Sequence, residues 1–504
     1  MTELTSTVTV SFQPLGRRGQ VPAGTSVLEA ARRLGVGLSG VCGGIGVCGT
    51  CRVVVPPEDQ DALSSLSDTE RARLSDEDIA RGVRLACRAF IRHSLQVFVP
   101  PESLTASQRT QVEGRQTPVR IDPVVVPADL QLPPPTLSDL RSDAERIRDG
   151  LGRPVRLDLE VLRRCPPSLR EWGWAVRAVL RGDEVVALLP PGALLVGVAV
   201  DLGTTKLAGY LLNLETGETL ASVGAVNPQL AYGEDVMARI AYALQEPEGA
   251  ERLRQAAVEG LSQLVRDLCT QAGVPPEQVV EAVVVGNTAM HHLFLGLPTR
   301  PLGLAPYVPV ESGPLDVRAR DVGLPLAPGA MVHLLPNVAG FVGADHVAAL
   351  LATRMDEADR PTLLLDIGTN TEIGLSVGGD LFSCSAASGP AFEGAHIRFG
   401  MRAAPGALER VRMIEGRVYW ETVEGAPPVG ICGSGILDAV AELRRAGFLN
   451  GRGGWANRDC SLFLSGDNGP EFVLVPAEAS GLGRAITLSR KDVGEIQLAK
   501  AAIA

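Results

Sequence analysis

Val198-Ala-Val-Asp201-Leu-Gly-Thr-Thr205 and Leu363-Leu-Leu-Asp366-Ile-Gly-Thr-Asn370 are one pattern written twice. Each is an apolar run closed by Asp-x-Gly-Thr, which predicts a buried strand ending in a tight turn. A single such turn is ordinary, but its return after a matching apolar run points to an internal repeat of a whole subdomain. In that reading Asp201 and Asp366 each end a strand, and Gly203 and Gly368 let backbone approach a phosphate. The hydroxyls of Thr204, Thr205 and Thr369, with the amides that follow through Lys206 and Asn370, supply donors to phosphate oxygens. Two opposed turns would grip one nucleotide, with both carboxylates holding hydrated Mg²⁺ and orienting the attacking water. The sequence has no Walker A loop.

A second constellation stands near the start: Cys42-Gly-Gly-Ile-Gly-Val-Cys48-Gly-Thr-Cys51, with Cys87 following in Arg84-Leu-Ala-Cys87. Three thiols in a glycine-lined loop and a fourth far downstream suit an iron–sulfur cluster, since the glycines permit positive φ where amides wrap around the sulfurs. A structural zinc would pair its ligands in two short knuckles. Before the loop, alternation from Val8 to Phe12, a turn around Gly16 to Gly19 and a cap at Thr25 or Ser26 predict a hairpin. A short helix carrying Val27, Leu28, Ala31 and Leu34 follows. Arg52 to Val55 reads as a strand. The spacing resembles adrenodoxin-like [2Fe–2S] ferredoxins, with one more residue in the first loop than the plant-type pattern. Cys165, Cys269, Cys384, Cys432 and Cys460 are scattered and read as small buried hydrophobes.

Composition bounds the rest. The 504 residues exceed the roughly 250–300 that one core serves, so three or more units are expected. Net charge is −11, and the lysines are Lys206, Lys491 and Lys500. No basic stripe suggests nucleic acid. The apolar run from Val185 to Val200 is broken by Pro190, Pro191 and Gly192, which argues against a membrane span. Met1 leads into a polar run without a secretory pattern, so a cytoplasmic location without disulfides is expected. Between the two constellations, the Pro- and Gln-rich text after Val99 suits a linker. A helical pattern from Leu137 to Leu151 capped by Ser138, and strands at Ala175–Leu180 and Glu184–Leu189, suggest a small α/β unit.

From Leu195 onward the chain resembles the actin-like ATPase superfamily. Further segments narrow the likeness: Asn227-Pro-Gln229 with Tyr232-Gly-Glu-Asp235-Val, Gly286-Asn-Thr-Ala-Met-His-His292, Pro336-Asn-Val-Ala-Gly-Phe-Val-Gly-Ala-Asp345-His and Ser388-Gly-Pro-Ala-Phe-Glu393-Gly. With the amino-terminal ferredoxin, these resemble reductive activators of corrinoid-dependent methyltransferases. The resemblance implies a multidomain α/β chain. Its parts are a [2Fe–2S] ferredoxin-like β-grasp domain at 1–99, a linker at 100–118, a small middle domain at 119–194 and a duplicated actin-like, ribonuclease-H-like ATPase domain at 195–504. It implies ATP-dependent reduction of Co(II) corrinoid to Co(I), with Cys42, Cys48, Cys51 and Cys87 as cluster ligands. Partners would be the corrinoid protein of a methyltransferase system and an electron donor such as a flavoprotein or ferredoxin. The Asp-x-His-x-x-Gly pattern of many cobalamin-binding domains is missing, so the corrinoid is expected on the partner.

Other residues carry two readings. Gly433, Ser434 and Gly435, in Gly430-Ile-Cys-Gly-Ser-Gly435, suit backbone approach to the nucleotide or simple close packing. Glu234 and Asp235 suit water positioning or the positive end of a helix. His291, His292 and His346 read as hydrogen-bonded structural histidines. Ser489-Arg-Lys-Asp492 is a capping box opening a helix that reaches Ala504 without a stop signal, so the domain is expected to be cut short there. Two alternatives remain: a small-molecule kinase regulated by a ferredoxin domain, and a redox-responsive protein that binds nucleotide without turning it over.

Overall fold

The computed structural model describes residues 7–13, 17–34, 36, 38, 44, 46, 49, 51–100, 103, 120–233, 235–394, 397–401, 403–456, 461–466 and 469–504. Among these the chain forms two compact units, divided between Ala349 and Leu350.

The first unit begins with β1 (Thr7–Gln13), β2 (Arg17–Pro22) and α1 (Val27–Arg33), the helix capped by Ser26 Oγ accepting from Glu29 N. β3 (Arg52–Val54), α2 (Asp68–Arg73), α3 (Asp76–Ala80), β4 (Val83–Leu85) and β5 (Leu95–Phe98) complete a five-stranded sheet in the order β2-β1-β5-β3-β4. β1 and β5 run parallel, with α1 against the sheet, which is the β-grasp arrangement. The expected turn is displaced, because Gly19 lies inside β2 opposite Val10.

A four-stranded sheet follows, built from β6 (Val125–Gln131), α4 (Asp143–Leu151), β7 (Arg156–Leu157), α5 (Leu159–Glu171), β8 (Ala175–Arg181) and β9 (Glu184–Leu189). The helix expected from Leu137 starts at Asp143 instead. Ser142 and Glu145 form a reciprocal capping box, whereas Ser138 has no acceptor residue three places on and Leu137 is fully exposed. The capping box and core burial outweigh the apolar spacing.

The larger sheet comprises β10 (Val196–Leu202), β11 (Lys206–Asn213), β12 (Thr219–Val226), β13 (Val279–Val285), β14 (Leu315–Arg318) and β15 (Met331–Leu334). Its order is β12-β11-β10-β13-β15-β14, with β10, β13 and β15 parallel. α7 (Gly249–Ala272) packs on it and α6 (Val236–Gln245) packs on α7, while α8 (Thr288–Leu295) and α9 (Ala344–Ala352) follow β13 and β15.

The second unit repeats the opening of that sheet as β16 (Thr362–Ile367), β17 (Thr371–Val377) and β18 (Asp380–Ala386), an antiparallel meander. β19 (Ala407–Ile414), β20 (Arg417–Thr422), β21 (Gly430–Ile431), α10 (Gly433–Arg445), β22 (Phe463–Gly466), β23 (Gly469–Val475), β24 (Ile486–Leu488) and α11 (Arg490–Ile503) follow. The expected capping box at Ser489 and Asp492 opens α11. The expectation that both repeated strands are buried holds for β10 alone. Leu363, Leu365 and Ile367 of β16 are exposed, as are Leu375 and Val377 of the middle strand β17, because nothing among the described residues covers that face of the meander. Among those residues no helix is long and apolar enough to cross a membrane.

Candidate cluster and nucleotide sites

In the β-grasp sheet the loop before β3 and the turn after β4 bring Cys51 and Cys87 together, Sγ to Sγ 3.3 Å, both buried. That separation is well beyond the ~2.05 Å of a disulfide and suits two soft thiolates converging on one metal. Gly44, Gly46 and Gly49 have φ of 100°, 89° and 72°, the left-handed backbone expected of the loop. A Cβ on Gly46 would stand 2.4 Å from Arg88 Nε. Cys42 and Cys48 lie outside the described residues. The two sulfurs and the loop conformation fit a [2Fe–2S] cluster.

The strand that delivers Cys87 is clamped by a pair that sequence reading missed. Glu70 is fully buried and takes Arg84 Nε at 2.8 Å, Arg84 Nη2 at 3.1 Å and Leu85 N at 3.2 Å. Burial alone would raise its pKa, but the bonds from Arg84 and Ser67 hold the carboxyl below its usual value.

At the other constellation, Asp201 and Val285 are paired at the carboxyl ends of parallel β10 and β13, where ligands of α/β sheets commonly sit. Gly286 is required by that approach, since a Cβ there would lie 2.7 Å from Leu202 O. The turn after β10 is latched through its carbonyls. Asn227 Nδ2 donates to Gly203 O at 2.8 Å and Asn227 N to Thr205 O at 3.0 Å, while Arg239 Nη2 donates to Thr204 O. Arg239, fully buried in α6, also donates to Gly233 O at 2.9 Å and Gln229 Oε1 at 3.1 Å. Asn287 Nδ2 donates to Thr204 Oγ1 at 2.8 Å. In a trans peptide each N–H opposes the preceding C=O. The amides of Thr204, Thr205 and Lys206 therefore point away from the latch, as an anion cradle needs.

The turn after β16 repeats the device with shorter parts. Ser388 Oγ donates to Gly368 O at 3.1 Å and Gly389 N to Thr369 O at 2.9 Å, so the amides of Thr369 and Asn370 are turned outward. Asn227 and Ser388 occupy matching places, just after the third strand of each repeat. Asp366 lies exposed at the end of β16, and Asp201 is likewise exposed.

The remaining candidates separate. Gly433 and Gly435 open α10, where a Cβ would stand 1.6 Å from Phe392 O and 2.1 Å from Leu408 O, so close packing by itself demands both glycines. Ser434 beside them is exposed. Asp235 caps α6, accepting from Ala238 N at 2.7 Å; Glu234 lies outside the described residues. His292 is a structural histidine, Nδ1 on Thr288 O at 2.7 Å and Nε2 accepting from Val310 N at 2.9 Å. His291 is buried beside it, and burial brings its pKa down to about 4. Cys165, Cys269 and Cys432 are buried as expected, but Cys384 is exposed on the outer strand of the meander; Cys460 lies outside the described residues.

A β-grasp ferredoxin fused to a duplicated actin-like ATPase is the class these features define. Residues 11–92 match the 2Fe-2S iron-sulfur cluster binding domain, 114–193 the RACo linker region, 196–358 the RACo middle region and 360–504 the C-terminal domain of RACo, the ASKHA domain. The corrinoid activation enzyme RamQ of Eubacterium limosum is 30% identical over 98% of this chain and 82% of its own length. A [Co(II) methylated amine-specific corrinoid protein] reductase of Methanosarcina barkeri is 28% identical over 61% of this chain and 58% of its own. The solved structure of a reductive activator for corrinoid,iron-sulfur protein superposes with TM-score 0.66 at 34% identity, covering 98% of this chain and 82% of that one. The chain belongs to the family of reductive activators of corrinoid proteins.

Proposed function

We infer that this protein uses ATP to reduce the corrinoid of a methyltransferase system's partner protein from Co(II) to Co(I). The observation that carries the reading is one chain bearing both a converging thiol pair in a β-grasp loop and two Asp-x-Gly-Thr turns whose carbonyls are latched from behind. When bound, the [2Fe–2S] cluster supplies one-electron transfer. Cys42, Cys48, Cys51 and Cys87 would hold it, and the Glu70–Arg84 clamp fixes the strand that presents Cys87. Each turnover takes one electron from a donor of the flavoprotein or ferredoxin class and delivers one to cobalt, so the electron count closes.

Reduction to Co(I) is uphill for an ordinary [2Fe–2S] donor, and ATP offsets the difference. Asp201 and Asp366 would each supply a carboxylate for hydrated Mg²⁺ and for orienting the attacking water, and the outward amides of each turn would bind phosphate oxygens. ATP acts by binding one conformational state better than another. The mechanism needs no phosphorylated metabolite.

The test is ATP turnover by the anaerobically purified protein with a corrinoid partner. Stimulated release of inorganic phosphate, tied to the partner's cobalt state, is expected. Transfer of the γ-phosphate to a small metabolite would instead establish a kinase.

A further inference from the structure

The first helix of the cluster domain meets the latch of the first phosphate turn. α1 is bonded at its start to the segment bearing Cys87, Val27 N to Ala89 O and Leu28 N to Ala86 O, both 2.9 Å. Near its end the Arg32 guanidinium lies over the Tyr232 ring, 4.8 Å from the centroid. Tyr232 closes the 3₁₀ turn Pro228–Tyr232, whose N-cap is Asn227. Its ring leans on Tyr242 of α6, centroids 5.1 Å apart. The turn under Arg32 thus begins with Asn227 and Gln229, and the helix behind it carries Arg239. These are the groups that hold the carbonyls of Gly203 and Thr204, directly or through one another.

This docking is weak by construction. Arg32 reaches Glu29 only through a 3.5 Å ion pair, and its Nε and Nη2 are buried without a hydrogen-bond partner among the described residues. The attraction of the cation for the ring and the pull of Glu29 on Arg252 across the same contact are opposed by the cost of two buried unpaired N–H groups, each as large as the ring attraction or larger. A contact opposed in this way is easily made and released.

We infer that nucleotide in the first phosphate turn and docking of α1 on Tyr232 reinforce each other, so that the cluster domain stays seated while nucleotide is bound and is released when the site empties. The proposal rests on the ATP-site reading above. The proposed sign is the one in which the docked helix and the closed latch, which occur together in the structure, support each other. Linkage makes the effect reciprocal: the factor by which nucleotide strengthens docking is the factor by which docking strengthens nucleotide binding.

Amide hydrogen exchange of the full-length, cluster-loaded protein, with and without ADP, tests it. In the wild type ADP slows exchange both at 227–233 and at Val27–Arg33. In Arg32→Ala the slowing at 227–233 remains, that at Val27–Arg33 disappears, and ADP affinity falls about fivefold or more, the lower end of common couplings. Tyr232→Leu, which removes the ring from the other side, gives the same loss, and Arg32→Lys restores part of the response. Bound ADP that slows exchange at 227–233 but leaves Val27–Arg33 unchanged or faster overturns the coupling alone. Failure of the wild type to bind ADP or ATP overturns it together with the ATP site.

Discussion

The two Asp-x-Gly-Thr repeats begin alike and are supported differently. β10 lies between β11 and β13 in a six-stranded sheet, with most of its residues buried. Among the described residues β16 has β17 on one side only, and it exposes Leu363 at 58%, Leu365 at 42% and Ile367 at 47%. The latches differ in the same sense, since the carbonyls of the first turn are held by the buried side chains of Asn227 and Arg239 and one backbone amide, and those of the second by a serine hydroxyl and one backbone amide. The turn's own chemistry is therefore local and repeatable, while its rigidity is a property of what surrounds it.

The largest expected effect falls on chemistry the two halves share. Asp201→Asn and Asp366→Asn should each lower ATP turnover about 10²-fold or more if they organise transition-state charge, with little change in melting temperature. Equal losses would make the halves equivalent in catalysis, whereas unchanged turnover in both variants would remove the carboxylates from the mechanism.

The latches should separate the halves. Arg239→Met strands the carbonyls of Thr204 and Gly233 in a buried site and is expected to cost about 3 kcal/mol of stability, with a matching loss of ATP affinity. Ser388→Ala removes a buried hydroxyl that bonds Gly368 O at 3.1 Å and meets Thr371 Oγ1 at 2.8 Å, and should cost about 1–2 kcal/mol. Denaturant titration of both variants checks the ranking, and the reverse order would mean that the second turn is the more firmly held.

How far the sequence showed these things depends on the range of the interactions involved. The turns, the cysteine loop and its positive-φ glycines were legible because each is written in a few adjacent residues. Arg239 was not, although a signal existed: an arginine three residues after Val236 and one before Ile240 shares the apolar face of α6, where a surface charge has no place. Glu70 was hidden because its partner Arg84 is 14 positions away. Ser388 stood in a recognised motif, but its bond to Gly368 belongs to tertiary structure. The exposure of β16 could not be read from an apolar run identical in kind to that of β10, since burial is set by what packs over the face of the sheet, and β17 is exposed there although it has a strand on both sides.

Two smaller effects sharpen the contrast. Amide exchange should be faster along β16 than along β10, where both edges are paired; equal protection would mean that β16 is covered in solution. On the first unit, burial holds His291 neutral with a pKa lowered to about 4. Its unfolded form protonates near pH 6.5, so its stability contribution is complete above that pH. It is lost as pH falls toward 4, by at most about 1.4 kcal/mol per pH unit. The melting temperature of His291→Gln should decline less steeply over that interval than that of the wild type.

The central claim is that electrons entering at the cysteine loop and ATP held at the latched turns act together on a partner's cobalt. The direct measurement is anaerobic absorption of a corrinoid protein from a methyltransferase system, mixed with this protein, a low-potential donor and Mg²⁺–ATP. Co(I) bands should grow with the wild type. They should be absent when ATP is withheld and absent with Cys51→Ser or Asp201→Asn. Co(I) formed at the same rate and to the same extent without ATP, or by the variant that lacks the cluster, would contradict the account.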